Sequence, residues 1–488
     1  MNSRPVGLSG LSLYLPPYRV DLQQWCEWTG ADWDKIRQVV GTGFRLLGPQ
    51  QSVYTMAANA VLRLIQNYDV DPARVRYLGL GTESSTDNSA GAVIIKGMVD
   101  SALKGLGLPG LSRNCEVPEF KHACLGGVYG LKNALRFLAT DGSDSLAIVV
   151  SADKALYERG SSGEPTQGAG AVAMLLSADP TIATIDLSES GTASDYRGVD
   201  FRKPLINRNG TGASPDFVDI PVFNGKYSTS CYVDEMQRAL EDMYRKRDID
   251  PAQHVRNVEA IFMHRPYQRM PETGWGMAYL FALAHGGAAD HDELQSYCDS
   301  AGVAFTDFVA EVDRTPDLAG FGVREKISDE IFPAGLKVLK SFRRSDAFDQ
   351  YVRHKMLLGT ASMRELGNLY TAALPAWLAA GLDEASCDEI DVTGKEILLV
   401  GYGSGDAADA IPIRMVPGWE HGARSIEFKS ALLPMVDLTH DQYLALRDRS
   451  SLAGIHYAPQ SEFVVDRVGS ETTHAFQDAG IEYYRFVQ

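Results

Sequence analysis

The stretch VPEFKHACLGGVYGLKNAL, residues 117–135, decides how the chain folds around it. Residues 117–121 read as an extended piece, and the spacing beyond predicts a helix beginning at about Cys124. Leu125, Val128, Leu131, Leu135 and Leu138 recur at helical spacing over 125–139. A thiol at a helix N-terminus meets partial positive charge and free N–H groups, which favours thiolate. Gly126 and Gly127 allow another backbone or a substrate to approach closely. By local pattern alone, a buried structural thiol remains the ordinary alternative.

Outward from this segment, short runs rich in Val, Ile and Leu alternate with helix-like stretches. RYLGLGT (76–82), SLAIVVSA (145–152), GAVAMLLS (170–177), VEAIFMH (258–264) and EILLVGYG (396–403) read as strands buried on both faces. Strands alternating with helices point to an α/β fold. The strand series repeats, which suggests two related halves, 1–180 and 181–488. Residues 285–350 are polar and charged and lack a strand pattern. With helical windows at 323–330 and 334–342, they read as a helical insertion in the second half, a lid or interface that would govern which acceptor docks. A helical cap over apolar surface is the alternative. The tail has short strand-like pieces: SIEFKS, SEFVVDR and IEYYRFV.

Composition narrows the functions. The 488 residues are 45% apolar and 22% charged, ordinary for a globular protein, with a formal net charge of −17. Such a surface repels a nucleic-acid backbone, so no nucleic-acid partner is expected. An anionic substrate would need basic residues gathered at its entrance. Six scattered cysteines without a C-x-x-C pair read as free thiols in a reducing compartment. Pro16, Pro17 and Arg19 interrupt the place of a signal peptide, and no run approaches about 18 apolar residues, so neither export nor a membrane span is expected. The expected location is the cytoplasm. No His/Cys spacing resembles a metal site. GYGSGDAADA (401–410) lacks the Lys-Ser/Thr of a phosphate loop and the last glycine of a dinucleotide fingerprint.

Two further side chains invite attention. GLGTESSTDNS (79–89) places Glu83 just past a strand, as a loop carboxylate that helps cap a helix or as a general base. IFMHRPYQRM (261–270) ends a strand at His264, where side chains of an α/β fold open into the ligand crevice. A structural histidine is the commoner meaning of that position.

The motifs EFKHAC (119–124), GTES (81–84), GEPTQGAGAVAM (163–174), HRPY (264–267), GNLYT (367–371) and YGSG (402–405) together resemble the 3-hydroxy-3-methylglutaryl-CoA (HMG-CoA) synthase family of the thiolase superfamily, in that family's order. The resemblance covers roughly residues 5–280 and 355–412. It implies a thiolase-like fold, two related halves in five layers (αβαβα), working as a homodimer. It implies Cys124 as the acyl-carrying nucleophile, Glu83 as general acid/base, and His264 as the group polarising the second substrate. Asn368, Ser404, Tyr157, Asp153 and Asp200 match supporting positions. Thr166, Ser228 and Arg269 match substrate- or CoA-contacting ones. The implied reaction condenses acetyl-CoA, through acetyl-Cys124, with acetoacetyl-CoA or a related β-ketoacyl thioester, without metal or redox cofactor. A variant of it takes acyl groups from an acyl carrier protein, as in β-branching of polyketides. A ketoacyl synthase-like reaction would want a His/Asn or His/His pair and no Glu83, and a non-catalytic scaffold would not need Cys, Glu, His and Asn together. Four features depart from the family and bear on the acceptor: Arg269 where Lys is common, Arg265 where an uncharged residue is usual, GTGFR (41–45), which looks like a turn of ketoacyl-carrier-protein synthases, and the insertion at 285–350, which follows the helix expected to contact CoA and would reshape the tunnel mouth.

Overall fold

The structure, a computed structural model, describes residues 4–84, 90–197, 200–203, 220–314, 316, 331–447, 455 and 457–488. In the first part, strand Val75–Gly81 runs parallel to Leu146–Ala155, which pairs antiparallel with Gly168–Ala178, and that with Val6–Tyr14. The second part repeats the scheme. Ala260–Met263 is parallel to Glu396–Gly403, which turns back into Ala407–Met415, and Gly191–Ser194 closes the set antiparallel. The two-residue strand Ala183–Thr184 pairs with both Val6–Tyr14 and Ala407–Met415, stitching the sets into one ten-stranded sheet.

Alternation along the strands assigns the layers. Ala147 and Val149 face one core, shared with helix Gly126–Ala139, while Ile148 and Val150 face another, shared with helices Val53–Asn67 and Gly91–Gly105. On the far side, Gly225–Arg247 packs on Ala407–Met415 and Gly191–Ser194, and Arg269–Ala284 packs behind it. Gly126–Ala139 and Ala373–Cys387 lie between the two sets of strands. The layers are therefore αβαβα, a thiolase-like fold. Both faces of each strand are covered, which is why the strands read as unbroken apolar runs.

The five leucine and valine positions expected on the thiol helix are all buried. The helix itself begins at Gly126, with Leu125 at its cap position and no side-chain cap. Cys124 belongs to the turn before it, behind Ala123 at φ 42°. The glycines are explained by backbone rather than substrate. A methyl on Gly81 would stand 2.5 Å from the Gly127 backbone, and one on Gly126 would stand 2.6 Å from the Phe120 carbonyl oxygen. The strand end bearing Glu83 and the helix start bearing Cys124 thus touch without intervening side chains. Gly81→Ala should cost about 1–3 kcal/mol as an overpacking substitution and separate the two groups. Thermal melting together with the acetylation rate of Cys124 would show both effects, and an unchanged rate would contradict the packing argument.

The described part of 285–350 is structural rather than lid-like. Helices Ala288–Ala301, Phe305–Val312 and Pro333–Phe342 bury Leu294, Cys298, Phe308, Val338 and Phe342 in the main core. Tyr279 and Phe342 stack with centroids 5.1 Å apart, and Arg256 pairs with Asp290 at 2.7 Å and Glu293 at 2.8 Å. The expected helical window 323–330 lies outside the described residues. Each buried large apolar side chain is worth about 1.5–3 kcal/mol, so losing several consumes most of the roughly 5–15 kcal/mol that holds a domain together. Deleting 290–345 should therefore give aggregated protein on size exclusion; a soluble, monodisperse product would restore the lid reading.

Of the tail pieces, SEFVVDR and IEYYRFV form the expected strands, paired as Glu462–Val468 with Glu482–Val487. SIEFKS does not. It enters helix Phe428–Ala431, because Phe428 is buried in the core and its N–H donates to Asp383 Oδ1 at 3.2 Å.

Candidate active site

A cavity of about 400 Å³ opens where the strand ends of the two halves meet. Its wall carries Cys124, Tyr157, Thr166, Asp200, Ser228 and His264, with Asn368 and Ser404 completing it. Eight of the eleven residues singled out from sequence therefore share one space. Cys124 Sγ–H donates to Glu83 Oε2 at 3.3 Å across 41 positions of sequence. Burial, then the Glu83 carboxylate, pushes the Cys124 thiol well above its ordinary range. The resting group is thus a thiol beside a carboxylate, not the thiolate that a helix N-terminus would favour.

Asp153 is the hub behind this pair. Fully buried, it accepts from Glu83 N at 2.8 Å, Ser84 N at 2.9 Å, Thr82 Oγ1 at 2.9 Å, Thr371 N at 2.9 Å and Thr371 Oγ1. Burial raises its pKa, while the Thr371 hydrogen bonds and the charge of Lys203 oppose that rise. One carboxylate thereby ties the Glu83 turn of the first half to the start of helix Ala373–Cys387 in the second. Residues 85–89, where a cap by the rest of that turn was expected, lie outside the described residues. Asp153→Asn keeps the size but turns an N–H₂ toward N–H donors, orphaning buried groups at about 1–3 kcal/mol each. A lower melting temperature with a reduced turnover is expected, and a wild-type melting curve would show that the hub carries no strain-free contacts worth keeping.

His264 directly follows strand Ala260–Met263, and Glu83 lies two residues past the end of Val75–Gly81, the strand with the same pairing in the first half. Burial pushes its imidazole down to about 3, so the ring is neutral and can donate one N–H. Its ring lies against Tyr402 with centroids 6.3 Å apart, and Tyr232 OH donates to its carbonyl at 3.1 Å. Tyr402 OH in turn donates to Asp200 Oδ2 at 2.7 Å and lies 3.0 Å from Asp406 Oδ1. Burial and the facing Asp200 push Asp406 up to about 9.

Asn368 is fixed from both ends. Its Nδ2 donates to Tyr157 OH at 3.2 Å, and its Oδ1 accepts from Tyr370 N at 2.9 Å. Its backbone N–H donates to the Thr166 carbonyl at 2.9 Å, which docks GNLYT on the turn Glu164–Thr166. Ser228 Oγ donates to the Asp200 carbonyl at 2.8 Å. Ser404 is brought in because Gly403 passes beside the His122 carbonyl and Leu125 N, where a Cβ would find no room. Arg269 lies off this wall, in an adjoining recess.

Two family models match the chain: the N-terminal part of hydroxymethylglutaryl-coenzyme A synthase over residues 2–181 and its C-terminal part over 323–450. Together they cover more than half of the sequence. The chain belongs to the hydroxymethylglutaryl-CoA synthase family. It is similar to hydroxymethylglutaryl-CoA synthase A of Dictyostelium discoideum, 26% identical over 98% of this chain and 90% of that protein. It is also similar to the Haloferax volcanii synthase, 28% identical over 82% and 80% respectively. Among solved structures, MvaS in complex with 3-hydroxy-3-methylglutaryl coenzyme A superposes with a TM-score of 0.75 at 23% identity, covering 100% of both chains. The curacin pathway HMG synthase with holo donor-ACP gives 0.68 at 20%, covering 99% of this chain and 100% of that one. As a synthase of this family the protein is an acyl-transferring, carbon–carbon bond-forming enzyme. The C-terminal model begins at 323, inside the segment read from sequence as an insertion.

For a synthase of this family the sequence left several neighbours of the centre unnamed. Lys203 Nζ donates to the Glu83 carbonyl at 3.2 Å and lies 5.3 Å from the Tyr370 ring centroid. Phe201 and Phe223 pack on Tyr157, with Tyr370 closing an aromatic wall. Thr371, the second half's tie to Asp153, stands inside the quoted GNLYT motif, so a signal for it was present. For Lys203 and the aromatic pair no pattern existed, because Phe201 and Phe223 stand on paired strands of two residues, too short to show a period, with Lys203 just past one of them. All six cysteines are unpaired. Among the described residues no cluster of His, Cys, Asp and Glu could hold a metal, and no helix is long and apolar enough to cross a membrane.

Proposed function

We propose that the protein transfers an acetyl group from acetyl-CoA to Cys124 and condenses it with the ketone of acetoacetyl-CoA, giving HMG-CoA. The observation that carries this is the Cys124–Glu83 contact at the floor of a cavity also lined by His264 and Asn368. Glu83 takes the thiol proton as Sγ attacks the acetyl carbonyl, and the departing CoA thiolate takes that proton back. This is covalent catalysis that divides one hard step in two. The freed Glu83 carboxylate then removes a proton from the acetyl methyl. Backbone N–H groups of the Cys124 turn and of Ser404 are the candidates to hold the enolate oxygen. The enolate adds to the acceptor ketone, neutral His264 hydrogen-bonds the developing alkoxide, and that oxygen takes up the proton that Glu83 removed from the methyl. Water finally cleaves the thioester and restores the thiol. The protons balance without metal or redox cofactor.

The second reading keeps the chemistry and delivers an acyl group on an acyl carrier protein, for polyketide β-branching. It is favoured by the likeness to the curacin enzyme described with its donor-ACP. Steady-state assays with acetoacetyl-CoA and with acetoacetyl-carrier protein separate the two. A ketoacyl synthase-like reaction is disfavoured, since it leaves the Glu83 contact without use. A homodimer in the cytoplasm, serving the mevalonate or a polyketide pathway, belongs to this reading; sedimentation of the purified protein tests the dimer.

The thiol's state gives a pH test. Glu83 raises the Cys124 pKa by charge and by accepting its proton, so removing that carboxylate favours thiolate. Iodoacetamide alkylation of Cys124 should therefore be slow at neutral pH in the wild type, with its midpoint moved to lower pH in Glu83→Ala. A midpoint that stays put or rises contradicts the contact. His264, neutral above about 4 because burial holds it near 3, should add no limb to the rate profile between pH 5 and 9, a range set by ordinary histidine titration.

A further inference from the structure

Behind the cavity wall, on the side of His264, four buried carboxyl groups gather around one buried guanidinium. Arg197 Nη2 pairs with Asp234 Oδ2 at 2.5 Å and Glu235 Oε2 at 3.3 Å, and its Nη1 lies 3.5 Å from Asp406 Oδ2. The fourth carboxyl, Asp200, meets Asp406 through Tyr402, whose OH lies 2.7 Å from Asp200 Oδ2 and 3.0 Å from Asp406 Oδ1. At the outer side, half-exposed Asp195 reaches Arg197 at 3.5 Å and partly exposed Arg238 reaches Asp234 at 3.5 Å. Tyr402 and Asp200 line the cavity, whereas Asp406 and Arg197 stand behind them.

One buried cation cannot neutralise four buried carboxylates, and like charges in dry surroundings keep protons. Donor counting places one of those protons. A phenol has a single proton, so Tyr402 serves one carboxylate, and its second contact needs a proton from the carboxyl pair. Asp234 and Glu235 sit directly on Arg197, whereas Asp406 meets it only at 3.5 Å and faces Asp200 as well. Burial, then Asp200, keeps a proton on Asp406 up to about 9, against Arg197 and the Gly405 N–H that donates to Asp406 Oδ1. The other described groups facing Asp406 bring no charge: Cys231 and Tyr227, on helix Gly225–Arg247, are held neutral by burial first. His264 supplies the link to the reaction. Its Nδ1 is buried without a hydrogen-bond partner, so no bond at that nitrogen fixes the ring, and packing must. The ring lies 27° from the plane of Tyr402, so what holds Tyr402 also holds His264.

We infer that Asp406 is a positioning residue for the condensation: in its protonated form it is joined to Asp200 through Tyr402, and the joined pair holds the wall on which His264 rests. The inference rests on the reading that His264 stabilises the acceptor's developing alkoxide. With the proton present, the two carboxyl groups and the phenol form one hydrogen-bonded chain. Once it is lost, two carboxylates face a single phenolic proton and repel each other, and Tyr402 loses one of its two anchors. The favourable state therefore exists at neutral pH and is lost as pH rises. Acetyl transfer to Cys124, which does not use His264, is independent of the pair.

The test compares full-length wild type, Asp406→Asn and Asp406→Ala in condensation with acetoacetyl-CoA and in acetylation of Cys124, the latter followed by intact mass. Asparagine imitates the protonated acid at every pH, whereas alanine is neutral but has no donor. Wild-type kcat for condensation should fall as pH passes through about 9, and Asp406→Asn should show no fall there. Asp406→Ala should lose condensation by about 10–100-fold at neutral pH, the scale on which misplacing a reacting group acts, while still acetylating Cys124, which also shows that it folds. An alkaline fall with the same midpoint in Asp406→Asn, or a loss in Asp406→Asn as deep as in Asp406→Ala, overturns the proposal. Infrared difference spectra over the same pH range need no turnover. A protonated-carboxyl band that wild type loses near that pH, and that Asp406→Asn lacks, supports the pair; equal spectra from both proteins overturn it. If that band difference is present while wild type acetylates but condenses nothing, the reading of His264 falls and the protonated pair remains.

Discussion

Cys124→Ser is expected to form no acetyl-enzyme and to lose condensation by at least about 10⁴-fold, as removal of a covalent nucleophile does. Serine keeps the shape of the side chain but offers a far weaker acid to Glu83. None of the other cysteines can substitute. Cys26, Cys231 and Cys298 are buried elsewhere, and neither Cys115 nor Cys387 lines the cavity. Intact-mass measurement after acetyl-CoA, together with an assay for HMG-CoA, checks both losses. A Cys124→Ser protein that still acetylates on a cysteine contradicts the assignment.

Glu83→Ala separates the two halves of the reaction. The acetyl transfer should survive, because losing the carboxylate makes the thiol easier to ionise and so offsets the loss of Glu83 as the acceptor of its proton. The condensation should fall by about 10²–10⁴-fold, the range for a positioned acid/base, since among the described residues Glu83 is the carboxylate hydrogen-bonded to Cys124 Sγ. The accumulating species should be acetyl-enzyme, visible by mass spectrometry under turnover. Normal condensation with failed acetylation would assign Glu83 a different role.

Much of this centre was legible because its residues stand at element ends. Glu83 and His264 each follow a buried parallel strand, and such strands announce themselves as unbroken apolar runs. Cys124 precedes a helix whose leucine spacing is plain. What the sequence did not convey was proximity and state. The 3.3 Å contact depends on Gly81 and Gly127 touching, a tertiary event that no local pattern encodes. The thiolate expectation failed on magnitudes. A helix terminus contributes about 0.3–1 kcal/mol, whereas full burial moves a pKa by up to 3–5 units, and here the helix starts two residues beyond Cys124. The 285–350 segment misled for another reason. Charged residues such as Asp292, Asp299, Lys337 and Lys340 are exposed on helices whose few inward residues, such as Leu294, Phe308 and Phe342, are fully buried.

The most direct measurement is a chase of isolated acetyl-enzyme. Wild-type protein is incubated with acetyl-CoA, freed of it, and mixed with acetoacetyl-CoA while intact mass and product are followed. The account predicts a gain of about 42 Da, an acetyl group replacing a proton, mapped to the Cys124 peptide alone, and its disappearance at the rate HMG-CoA appears. An adduct on another residue, or an acetyl-Cys124 that persists or merely hydrolyses while HMG-CoA forms, would contradict it.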